Sequence, residues 1–186
     1  MNFPLSRLHL WKIAIPILAS LLLLPLAQAD EWVRISSKDE KVSALFPEDI
    51  REKKQSQVER TIAGRVTTYF GEYHDDGIIL AGSVADLPKL AQKRHKTVFE
   101  TTKKGFLKEA KGTEISFKST TVDGAPAREL IYKGSAYRGK GDSYKGRALI
   151  FIVDGRLYIV NSVISKATPK NEAAGERMLS SVDVAK

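Results

Sequence analysis

The sequence predicts an α+β domain whose mainly antiparallel central sheet is flanked by helices. Three observations carry that prediction. Asp123-Gly124 and Asp154-Gly155 each separate two strand-forming runs, and Asp-Gly supplies the residues that tolerate the positive φ angles of a tight hairpin turn. One long helical stretch falls between groups of strands and a second closes the chain, so hairpins rather than crossovers join most strands. The 186 residues contain no cysteine, so there is no disulfide, thiol nucleophile or thiolate metal site, and the fold must rest on its apolar core.

The first 29 residues stand apart. Arg7, His9 and Lys12 form a short basic region. Residues 13–24 are an apolar run broken only by Pro16 and Ser20, and Ala27-Gln28-Ala29 is a small-residue triplet. This is the pattern of a secretory signal peptide cleaved after Ala29. The apolar run of 12 residues falls short of the roughly 20 that a membrane-crossing helix needs. The expected mature chain is one domain, residues 30–186, without a transmembrane span and located in the periplasm or secreted. Losing Arg7 and Lys12 lowers the formal charge from +8 to +6, so a basic excess survives export.

In the mature chain, residues 32–35 and 42–46 read as opening strands. The second places Val42, Ala44 and Phe46 on one face and stops at Pro47. The charged stretch 48–60 reads as a solvated loop or strand edge. Residues 66–70 are strand-forming, Asp75-Asp76-Gly77 supplies a turn, and residues 78–81 return. Residues 86–110 predict one long helix, with Asp86 as its cap and Pro88 in its first turn. Ala91, Val98, Phe99, Phe106, Leu107 and Ala110 fall on its buried stripe. Gly105 costs a helix interior about 1 kcal/mol relative to Ala and marks the expected weak point. Residues 115–122 and 127–132 form the next hairpin, and a polar segment, 134–146, follows. The near-continuous apolar runs 148–153 and 157–160 predict central strands covered on both faces. Residues 171–181 close the chain as a helix with Ala174, Met178 and Leu179 facing inward.

The order of these features resembles the PsbP-like domains of bacterial exported proteins over nearly all of residues 31–184. The residues that carry the resemblance are Val42-Ser43-Ala44-Leu45-Phe46-Pro47, the run from Asp123-Gly124 through Pro126 to Arg128-Glu129, the return Gly155-Arg156-Leu157-Tyr158, and Ser180-Ser181-Val182. The resemblance implies a PsbP-like sandwich and non-catalytic binding or assembly work. It carries over no catalytic residue, because function belongs to sites rather than folds.

Tests for chemistry are mostly negative. Residues 134–141 approach a phosphate-binding loop, but Gly141 stands where Ser or Thr is needed and a strand follows instead of a helix. No Gly-x-Ser-x-Gly elbow occurs. His74-Asp75-Asp76 offers the materials for a metal ligand or an acid/base pair, and a hydrolase or metal-dependent enzyme with its site near His74 is the alternative function. The other mature histidine, His95, lies within Lys93-Arg94-His95-Lys96, where positive charge disfavours a cation. A polar turn is therefore the expected role of His74, and no metal or cofactor is expected.

The remaining signal is basic. Lys93, Arg94, Lys96, Lys103 and Lys104 on the long helix, with Arg138, Lys140 and Lys145 in the glycine-rich segment, are the candidate contacts for an anionic partner. A solubilising helix face is the competing reading of the lysines. The expected partner is an envelope protein or an anionic surface. Specific nucleic-acid binding is not expected, because no recognition motif accompanies the charge.

Overall fold

The computed structural model describes residues 31–48, 67–135 and 143–185. The expected signal peptide with its Ala29 cleavage site, most of the charged stretch 48–60, and the loop cations Arg138 and Lys140 lie outside the described residues.

Short alternating runs near the start make β1 (Trp32–Ser36) and β2 (Val42–Pro47), which pair antiparallel. The two-residue β9 (Asp183–Val184) adds to the other side of β2, giving a three-stranded sheet. Six longer strands form the main sheet: β3 (Thr67–Asp75), β4 (Ile78–Asp86), β5 (Gly112–Val122), β6 (Ala125–Gly134), β7 (Tyr144–Val153) and β8 (Arg156–Ile164). Their order is β3-β4-β8-β7-β6-β5, and every neighbouring pair is antiparallel. The helices are α1 (Lys89–Gln92), α2 (His95–Glu109) and α3 (Pro169–Ser180).

Both predicted Asp-Gly turns form. Asp123 and Gly124 have φ of +47° and +85°, and Asp154 and Gly155 have +48° and +75°. Positive φ at both central residues is the primed turn that matches strand twist. Strands β7 and β8 explain their own apolar sequence. Ala148, Ile150, Ile152 and Leu157 pack with Val98 and Phe99 of α2 on one face of the sheet. Phe151, Tyr158 and Val160 pack with Phe46 of β2 and Met178 of α3 on the other. A strand buried on both faces loses the polar alternation of a half-exposed one.

The helix expected over 86–110 is corrected in two places. Asp86 ends β4 instead of capping a helix: it pairs in register with Arg156 and forms an ion pair with it at 2.8 Å. Ladder hydrogen bonds and burial of Ala85 and Leu87 override the helical periodicity there. The helix also breaks at Lys93-Arg94, with Arg94 at φ −121° and ψ 51°, while Gly105 lies inside an unbroken α2. None of the four residues of α1 is buried, and its packing is limited to Ala91 at the margin of the core beneath α2.

The two sheets are tied together through Asp39 in the β1–β2 turn. Its carboxylate accepts hydrogen bonds from Ser37 Oγ at 2.5 Å, from the Tyr158 hydroxyl at 2.6 Å and from Arg156 Nη1 at 2.6 Å. Burial pushes its pKa up, but the hydrogen bonds from Ser37, Tyr158 and Arg156 outweigh burial and hold it well below the usual carboxylate range.

Candidate functional site

The inward stripe of α2 is Val98, Phe99 and Thr102. That fixes which lysines face solvent. Lys93, Arg94, Lys96 and Lys104 are exposed, as are Lys89 and Lys108 on the same helices, and none has an ion-pair partner among the described residues. Leu90, in their midst, is 84% exposed. Lys103 behaves differently. It reaches Glu100 and Glu114 at 3.0 Å each and sits 4.4 Å above the Phe117 ring. The hydrogen bonds to Glu100 and Glu114 raise its pKa, so its charge is neutralised within the fold. Lys145 is separated from the α2 set: it lies on β7 and lines the groove beside α3, across the sheet from α2.

His74 stands on β3 with its Nε2 against a Glu72 carboxylate oxygen. Asp75 accepts from the Tyr73 hydroxyl at 3.1 Å, and Asp76 pairs with Lys166. His95 packs edge-on against Phe99, 6.4 Å between centroids, at the start of α2. Among the described residues, no group of three or more His, Cys, Asp or Glu side chains is arranged to hold a metal ion. The candidate triplet is therefore a turn whose charges are answered by neighbouring side chains.

A feature the sequence did not disclose lies on the opposite face of the main sheet. Between α3 and strands β7 and β8 runs an open groove of about 260 Å³. Its floor includes Ser162, 4% exposed, whose Oγ makes no hydrogen bond to protein among the described residues and is open to the groove. Gly175 lets the α3 backbone approach: a Cβ there would lie 3.1 Å from Ser162 Oγ. Arg147 on one wall is bound by Glu129 and by Glu176. Lys145 and Glu172, also lining the groove, have no ion-pair partner among the described residues. The only earlier hint was Lys145, because Ser162 and Glu172 come from different elements and carry no local motif.

Among the described residues, no helix is long and apolar enough to cross a membrane. No family model matches the sequence, and a search of curated proteins finds no similar one. Solved structures do match. The cyanobacterial PsbP of Synechocystis superposes with a TM-score of 0.53 at 12% identity, covering 84% of this chain and 94% of that one. The Ran-binding protein Mog1p of Saccharomyces cerevisiae gives 0.46 at 7% identity over 84% and 96% of the two chains. A Pseudomonas aeruginosa protein of unknown function gives 0.40 at 9% identity over 78% and 89%. At such identities a likeness speaks to fold alone. Six antiparallel strands with helices on both faces, matched across most of both chains by the Synechocystis protein, give this chain a PsbP-like α+β fold.

Proposed function

We propose that the chain is a non-catalytic, exported module, periplasmic once residues 1–29 are removed, that binds or helps to assemble another envelope component. Its contact surface is the outer face of α1 and α2, and its partner presents an acidic surface. The observation that supports this reading is the set Lys93, Arg94, Lys96 and Lys104, exposed on one side and without ion-pair partners among the described residues. Such a field steers an anionic partner and adds affinity that salt weakens, because the screening length is about 10 Å at 0.1 M ionic strength. Arg138 and Lys140, outside the described residues, belong to the same proposal as further candidate contacts for the anionic partner. Lys103, neutralised by Glu100 and Glu114, contributes to the fold instead.

Retention on an anionic matrix tests the surface. The wild type is expected to elute late and to shift strongly with salt. The triple variant Lys93→Gln, Lys96→Gln, Lys104→Gln is expected to elute much earlier with an unchanged unfolding midpoint. Equal elution of variant and wild type would reject the assigned surface.

A further inference from the structure

We propose that the groove between α3 and strands β7 and β8 binds a small apolar α-amino acid as its zwitterion. The surface on α2 lies across the sheet, so this site is independent of the function proposed above.

The argument begins with which charges the fold has already answered. Arg147, the central cation of the groove, is held between Glu129 and Glu176. That leaves Lys145 and Glu172 as one cation and one anion, both exposed and both lining the groove. They do not pair with each other. A ligand carrying a carboxylate and an ammonium on one carbon answers both, whereas a simple anion or cation leaves one of them unanswered. Lys133 strengthens the positive end. It stands directly opposite Lys145 in the β6–β7 register, and both are exposed; like charges in that relation repel. A carboxylate between them relieves the repulsion.

Ser162 is the second independent pointer. Its hydroxyl, in a side chain 4% exposed, lines the groove without a partner among the described residues. Solvent in the groove reaches this hydroxyl, and a ligand oxygen takes the place of water there. In register Ser162 lies opposite Arg147, and Ile164, two residues along β8, lies opposite Lys145. Ser162 and Lys145 are therefore neighbours on one face of the sheet, placed for the hydroxyl and the ammonium to donate to the two oxygens of one carboxylate. The apolar part of the ligand lies on Ile164, Ala167 and Leu179, which complete the lining. A groove of about 260 Å³ is near the lower end of ligand pockets and suits a molecule the size of an amino acid.

The test is calorimetric titration of the purified protein with L-leucine as probe, beside isocaproate, which lacks the amine, and isopentylamine, which lacks the carboxylate. Leucine is expected to bind saturably and at least about tenfold more tightly than either half-molecule. Lys145→Gln and Glu172→Gln should each weaken leucine binding about tenfold. Ser162→Ala should weaken it about fivefold, while its thermal midpoint stays equal to or above that of the wild type because no protein hydrogen bond is lost. That pairing of weaker binding with undiminished stability separates a ligand contact from a structural role. Absence of saturable leucine binding, equal affinity for the half-molecules, or unchanged affinity in both charge variants would overturn the assignment. None of these outcomes bears on the lysine face of α2, whose retention test reads a different surface.

Discussion

Gly146→Ala is expected to destabilise the protein by about 3 kcal/mol, the upper range for forcing an extra methyl into a packed site. A Cβ at position 146 would lie 2.1 Å from Tyr132 Cζ. The ring has nowhere to retreat. Tyr132 is 1% exposed, meets Phe106 and Tyr144 edge-on at 5.1 and 6.0 Å, and its hydroxyl donates to Asn161 Oδ1 at 3.3 Å. The strain must therefore spread into β7, whose register with β6 places Gly146 directly opposite Tyr132. Urea unfolding measures the cost. In a Tyr132→Ala background the same glycine substitution should cost less than about 1 kcal/mol, because the clash is gone and contacting residues are not additive. An equal cost in both backgrounds would mean that the glycine matters for some reason other than the aromatic ring above it.

Asp39→Asn is expected to cost about 2 kcal/mol near neutral pH, the scale of losing charge-assisted hydrogen bonds in a half-buried network. Arg156 keeps Asp86, while the Tyr158 hydroxyl, on a side chain that is fully buried, loses a charged acceptor. The effect has a definite pH dependence. The folded-state pKa of Asp39 lies well below its ordinary value, so ionised Asp39 stabilises the fold above the unfolded carboxylate pKa of about 3.9. That stabilisation is lost as pH falls below about 4 toward the folded pKa. The stability gap between wild type and Asp39→Asn should therefore be full at pH of about 6 to 7 and shrink progressively below about 4. A gap that stays constant or widens on acidification would contradict the role given to the network.

These two sites show how legibility depends on range. The Asp-Gly turns were readable because a primed turn is decided by two adjacent residues. The double-faced burial of β7 and β8 was readable because their apolar runs leave no polar face. Asp39 was not readable: its partners Arg156 and Tyr158 come from the other sheet, and nothing local marks that meeting. Asp86 misled for a related reason, since Asp before Pro and an apolar periodicity imitates a helix start, whereas its register partner Arg156 holds it in β4.

The candidate sites divide in the same way. The exposed lysines of α2 follow from helical spacing, which placed Lys93, Lys96 and Lys104 away from the buried stripe. Lys103 was grouped with them because Glu114, from the neighbouring β5, is invisible to helical spacing. Arg138 and Lys140 lie outside the described residues, and Lys145 belongs to the other face of the sheet. The groove needed three elements to meet: Lys145 from β7, Ser162 from β8 and Glu172 from α3. No spacing rule joins them.

The central claim is that the α2 face meets an acidic partner in the envelope, and site-specific photo-crosslinking in the native envelope tests it most directly. A crosslinker placed at Lys104 is expected to yield one discrete adduct with an acidic envelope component, diminished by raised salt. The same crosslinker at Lys118, which is exposed on the edge strand β5, should not yield it. An adduct formed equally from both positions, or none from Lys104, would contradict the account.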